Sequence, residues 1–183
     1  LYYIKGEYEL ARRIYEDVLS KRDIGWAHLG LGKVNIALGR FDEAIDGLDS
    51  LIKQNGNLIE AYDFLAEAQL KKGKTKEAQA TLQSAVEISP FAILRQTKLA
   101  EVCTKNKDVE GATDALRSSV KLGYNSVHES PDNYLNLGRC LSELAEGDNS
   151  DIGKKRAKEA VHTLGRAAKK FKDDPDVQTN ALL

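Results

Sequence analysis

Leu31, Leu65 and Leu99 are equally spaced, and Ala44, Ala78 and Ala112 keep the same interval. Gly39 and Gly73 share that step, and Lys107 occupies the next glycine slot. Upstream, Gly6 and Ala11 precede Gly39 and Ala44 by one position less than the full interval. A fixed period of about 34 residues implies one supersecondary unit repeated along the chain. Such a unit cannot bury its own apolar face, so neighbours stack and share a core.

Each period reads as two amphipathic helices joined by a tight turn. In segment 59–92, Tyr62, Leu65, Ala66 and Gln69 mark one helix face. Gly73 predicts the helix stop, because glycine adopts the left-handed conformation that a stop requires. Ala78, Leu82 and Ala85 then mark a second face, and Pro90 closes the unit. Only three prolines interrupt 183 residues, so helices are permitted almost everywhere.

The pattern resembles the tetratricopeptide repeat: Leu-Gly or Leu-Ala, an aromatic, then Ala-x3-Phe-x2-Ala and Pro. Segment 59–92 carries nearly all of it. Segment 25–58 keeps Leu31-Gly32, Gly39, Phe41, Ala44 and Leu48, and segment 93–126 keeps Leu99-Ala100, Ala112 and Leu116. Segment 1–24 holds a second helix (Ala11, Tyr15, Val18) behind the tail of a first. The resemblance implies an all-α fold, with helix-turn-helix repeats stacked in a right-handed superhelix, an α-solenoid. It implies a single array over 1–183: the partial repeat, three regular repeats, an irregular repeat at 127–175 and the start of a further helix at 176–183. The opening LYYIKGEYEL and the lack of any methionine point to a piece of a longer protein.

The period slips twice near the end. Leu137-Gly138 follows Leu99 four positions late, so four extra residues enter around Asn125–Tyr134, NSVHESPDNY. Ala160 follows Leu137 ten positions later than Ala78 follows Leu65, so ten more enter at EGDNSDIGKK. The landmarks predict helices over Pro131–Ala145 and about Ile152–Phe171, with another from Pro175. Ser130 is expected as N-cap, with Pro131 at the first helical position and Asp132 favourable to the helix dipole. His128 and Glu129 are left as a spacer. Asp148–Glu159 has the length of a calcium loop, but Ile152 takes a ligand place and Lys154, Lys155 and Arg156 oppose a cation. A polar turn capped by Ser150 or Asp151 is the expectation there.

No catalytic or cofactor motif is present, and the chain reads as non-enzymatic. His28, His128 and His162 lack metal-ligand spacing, and His28 is expected to be packed. Cys103 and Cys140 do not form a CxxC pair and are expected as buried thiols, which fits a reducing, cytoplasmic setting. The formal net charge of −1 gives no bulk attraction to nucleic acid or membrane. Lys154–Lys172 carries eight basic residues and one acid, read as a solvated outer helix face.

In the tetratricopeptide family the first helix of each repeat lines a concave groove through positions 2, 5, 9 and 12. The resemblance carries these to Trp26, Leu29, Lys33 and Ile36; to Glu60, Asp63, Glu67 and Leu70; to Leu94, Thr97, Glu101 and Thr104; and to Asp132, Leu135, Arg139 and Ser142. The family's set of basic and amide residues for clamping a C-terminal carboxylate is missing. Glu60, Asp63 and Glu67 form an acidic stripe beside Trp26 and Leu29. That suits a partner segment carrying a basic residue and an apolar anchor, and equally a solvated face balanced by Lys33 and Lys98.

Two runs are similar to the C-terminal arrays of bacterial response regulators that join a receiver domain to these repeats. One is Ser89-Pro90 with Arg95-Gln96, and the other is Ser130-Pro131-Asp132 with Tyr134. This likeness implies an output or scaffold arm of two-component signalling. The alternatives are a self-association module forming a homo-oligomer, and an accessory arm of an enzyme whose catalytic domain lies elsewhere.

Overall fold

The computed structural model describes residues 6–180, and every regular element among them is an α-helix. The helix tail expected at the start of segment 1–24, and the last three residues of the helix expected at 176–183, lie outside the described residues. The described residues fall into two compact units that divide between Pro90 and Phe91.

The first unit contains α1 (Tyr8–Lys21), α2 (Gly25–Ala37), α3 (Phe41–Gln54), α4 (Ile59–Lys71) and α5 (Thr75–Ile88). Consecutive helices pack side by side, and α2 also touches α4. Ala44, Leu48 and Leu51 of α3 recur at i, i+4 and i+7, as do Ala61, Leu65 and Ala68 of α4. That spacing puts each trio on one helix face. The two faces meet in a core where no member is more than 4% exposed. The Leu-Gly landmark acquires a reason here. A Cβ on Gly32 would stand 2.7 Å from Leu48 Cδ2, so the glycine lets α2 close on α3 with Leu48 as it stands.

The turn between paired helices is built the same way three times. Gly39 and Gly73 have φ of 74° and 81°, and Lys107 takes the same left-handed conformation at 60°. In each case the next residue's N–H reaches back to a carbonyl five residues earlier. Arg40 donates to Asn35 at 2.8 Å, Lys74 to Gln69 at 2.8 Å and Asp108 to Cys103 at 2.9 Å. This is the Schellman closure of a helix end. A side chain at Lys107 strains it by about 1 kcal/mol relative to glycine.

The second unit contains α6 (Ile93–Lys105), α7 (Val109–Gly123), α8 (Pro131–Ala145), α9 (Asp151–Lys170) and α10 (Pro175–Asn180). The helices of the irregular repeat lie where the landmark spacing predicts. The ten inserted residues lengthen α8 and α9 to 15 and 20 residues and form the loop between them. Their packing register survives: a Cβ on Gly138 would meet Leu164 Cδ2 at 2.6 Å, as Gly32 would meet Leu48. Leu164 follows Ala160 by four residues, just as Leu48 follows Ala44.

Ser150 caps α9, its hydroxyl accepting from Gly153 N–H at 3.2 Å. Ser130 differs from expectation. It holds the N-cap position of α8, but its side chain makes no cap hydrogen bond. Pro131 at the first helical position leaves one fewer unsatisfied N–H at the helix start.

Candidate functional site

In the first unit the inner positions of α2 and α4 form one surface. Trp26 is 60% exposed and stands edge-on to Tyr15 of α1, ring centroids 6.2 Å apart. The Tyr15 ring lies over Gly30, where any side chain would collide with it. Leu29 and Ile36 are half-buried and pack against the α3/α4 core, so they hold the helices together as well as facing the groove. Lys33 Nζ sits 4.7 Å from the centre of the Phe64 ring, a cation–π contact that fixes its charge over α4. Glu60 is exposed, Asp63 and Glu67 are half-buried, and neither Glu60 nor Glu67 forms an ion pair among the described residues.

In the second unit α6 and α8 enclose a cleft of about 280 Å³. Leu94, Thr97, Glu101 and Thr104 line one wall, Asp132 and Asn136 the other, and His128 and Ser130 come from the preceding loop. Leu94 is 67% exposed. Glu101 and Asp132 have no ion-pair partner among the described residues. Arg139 is exposed on α8.

One groove expectation changes here, and one gains detail. Leu135 is buried and belongs to the core rather than the inner face. Thr97 lines the cleft, but its hydroxyl is engaged. It hydrogen-bonds Ser119 at 2.8 Å and accepts from Asn133 Nδ2 at 3.1 Å, while the same amide donates to Ser119 at 2.9 Å. Ser119 and Asn133 are buried, so this triad ties α6, α7 and α8 together.

The loop before α8 is more than a spacer. The Glu129 side chain is 6% exposed, and its carboxylate gathers three donors. It accepts from Asn125 N–H at 2.6 Å, Tyr134 O–H at 2.6 Å and Lys170 Nζ at 2.7 Å. Burial pushes the Glu129 carboxyl upward, but the bonds from Lys170, Tyr134 and Asn125 outweigh it and hold the group below its ordinary value. Burial and the adjacent carboxylate push the Tyr134 phenol up to about 12. Phe171 closes the other side of Tyr134, ring centroids 5.7 Å apart. Asn125 turns the chain with φ of 59°, a conformation asparagine tolerates better than most residues. Sequence reasoning missed this cluster because Lys170 lies 41 residues from Glu129 and no period connects them.

His28 is half-buried and its Nε2 lies 2.6 Å from Asp23 Oδ1, on the edge of the first unit. Cys103 is buried, and loss of solvent, then Asp108, pushes its thiol up to about 11. Cys140 is half-buried rather than buried as expected, and its thiol is also shifted upward, first by burial and then by Glu143. Both thiols are therefore poor nucleophiles at neutral pH. Among the described residues no group of three or more acidic, histidine or cysteine side chains is placed to hold a metal ion. No helix among them is long and apolar enough to cross a membrane.

Residues 2–67 match one tetratricopeptide repeat family model and residues 59–91 match another. No curated protein matches the chain. Solved structures do. YrrB, described as a tetratricopeptide protein with an unusual peptide-binding site, is 18% identical with a TM-score of 0.71, over 99% of this chain and 86% of that one. A MamA fragment from Desulfovibrio magneticus is 17% identical with a TM-score of 0.68, over 95% and 91%. A thermophilic tetratricopeptide protein from Thermus thermophilus is 19% identical with a TM-score of 0.56, over 98% and 91%. The described residues thus form an all-helical array of tetratricopeptide-type repeats, matched by sequence through residues 2–91 and by fold along nearly the whole chain.

Proposed function

We propose that this chain is a non-enzymatic interaction module whose inner helices bind a peptide segment of a partner protein. The observation that carries this reading is a repeated pairing. Unpaired carboxylates share each unit's inner helices with a large exposed apolar side chain: Glu60 and Glu67 with Trp26, and Glu101 and Asp132 with Leu94. A segment with a basic residue and an apolar anchor matches that chemistry. Asp63 and Lys33 continue the polar surface of the first unit's inner helices, and Thr97 and Arg139 that of the second unit's. The peptide-binding site in the name of YrrB gives independent support for this use of the fold.

Trp26 is the sole tryptophan, so intrinsic fluorescence reads the site directly. Titration with an acetylated Leu-Lys-Leu-Arg peptide should shift Trp26 emission to the blue and saturate. Glu60→Lys with Glu67→Lys should remove that response, and Trp26→Ala should weaken binding by about 2 kcal/mol in an anisotropy assay. A flat titration, or unchanged affinity in the charge-reversed protein, would end the groove reading.

The finer placement is the output arm of a cytoplasmic bacterial response regulator. Ser89-Pro90, Arg95-Gln96 and Ser130-Pro131-Asp132 with Tyr134 support it, although the latter residues also start α8 and seat Tyr134 on Glu129. The full-length gene tests it: a receiver domain encoded upstream of Leu1 is expected, and a catalytic domain there would replace this placement.

A further inference from the structure

The face formed by α7 and α9 has the opposite chemistry from the inner helices. A cleft of about 330 Å³ opens there, lined by Val120, Lys121, Tyr124, Leu137, Thr163 and Arg166, among others. Arg166 is half-buried and held on two sides. Its guanidinium carbon lies 5.1 Å from the Tyr124 ring centre and 5.4 Å from that of Tyr134, and Nη2 is 3.5 Å from the Tyr134 hydroxyl. Among the described residues no carboxylate pairs with it. The neighbouring Arg117 is neutralised, with Glu159 at 2.8 Å and Asp114 at 2.7 Å, and Lys170 is taken by Glu129. Lys121 and His162 are exposed and unpaired.

Thr163 adds a second, independent sign. It is 6% exposed and lines the cleft, yet its hydroxyl has no hydrogen-bond partner among the described residues. The Thr163 oxygen is not sealed from solvent, so it is open to a donor or acceptor in the cleft. A stacked guanidinium with open donors is preorganised for a planar oxyanion. Beside these polar groups the Tyr124 side chain is 55% exposed, an apolar surface that a free anion would leave unused, with the buried Val120 and Leu137 forming the floor.

We infer that the α7/α9 cleft is a second binding site, for a peptide segment bearing a carboxylate side chain next to an apolar one. Arg166, Thr163 and Lys121 take the carboxylate, and the exposed Tyr124 side chain takes the apolar neighbour. One carboxylate matches the small surplus of positive charge left after Arg117 and Lys170 are paired. The site is independent of the inner-face reading, and its ligand carries the opposite charge.

The test is an amide NMR titration of the whole chain with acetyl-Leu-Glu-Leu-amide. Shifts are expected at Val120, Lys121, Thr163 and Arg166, and the glutamine analogue should bind about tenfold more weakly. Arg166→Lys keeps the charge but loses the planar fork, and should also weaken binding about tenfold. Thr163→Val and Lys121→Glu leave the tyrosine stack intact, and thermal melts of each variant check folding. Equal binding of the glutamine analogue, or wild-type affinity in both Thr163→Val and Lys121→Glu, overturns the assignment. Inorganic phosphate binding the same amides as tightly as the peptide would overturn the peptide component. Shifts confined to α6 and α8 would overturn the location.

Discussion

The first unit and the irregular repeat of the second solve the same packing problem by different means. In the first, Leu48, Leu51 and Leu65 fill an apolar core around small residues, and helix stops come from Gly39 and Gly73. In the second, inserted residues break the period, and polar groups take over the fixing. The Thr97, Ser119 and Asn133 triad ties three helices, and Glu129 ties the loop to Tyr134 and Lys170. Non-directional packing tolerates repetition, whereas a joint that leaves the period needs directional bonds to define one geometry.

The largest effect should come from the apolar side of this contrast. Leu48→Ala removes a fully buried side chain and should cost about 2–5 kcal/mol in urea unfolding. A loss below that range would mean that the first unit does not rest on this core.

Glu129→Gln tests the polar side. It removes the charge from three short hydrogen bonds and should cost about 2–3 kcal/mol at neutral pH. The sign of its pH dependence is fixed. The folded carboxyl titrates below its ordinary value of 4.5, so its contribution is present above that value and lost as pH falls through the folded pKa. The gap between wild type and Glu129→Gln should therefore close on acidification. A gap independent of pH would remove Glu129 from its role as the joint's anchor.

Asn133→Ala should cost about 1–3 kcal/mol, because Thr97 and Ser119 each lose a donor in a buried setting. A value near zero would show that the helices of the second unit are held by packing rather than by this triad.

The smallest effect runs the other way. Lys107→Gly should stabilise the second unit by up to about 1 kcal/mol, since it relieves a left-handed backbone at a position where the earlier repeats use glycine. Gly73→Ala should destabilise the first unit by a similar amount. Thermal melts of the two variants would thus move in opposite directions.

How far the sequence can be read follows the same division. The Leu-Gly and alanine landmarks locate α8 and the shift of α9, because a helix that must present the same face to its neighbour keeps its spacing through an insertion. Lys107 is legible as a glycine substitute for the same reason. Leu135 is not. Repeat position 5 is half-buried in Leu29 and Thr97, but at the same helix position Leu135 is buried. The Glu129 anchor and the Arg166 cleft are also hidden, since α9 reads only as a basic surface helix. Its basic residues differ by partner: Lys170 meets Glu129, Arg156 meets Glu110 at 2.8 Å, and Arg166 meets two tyrosine rings.

By itself the sequence determined the repeat unit, the all-helical class, the helix stops and the places where the period fails. Those are local properties, set by side-chain periodicity and backbone conformational preference within a few turns of chain. The tertiary structure alone decided which polar groups are buried and which charges are left without a counter-ion. Those properties depend on residues brought together across tens of positions, where dehydration strengthens a satisfied bond and penalises an unsatisfied one.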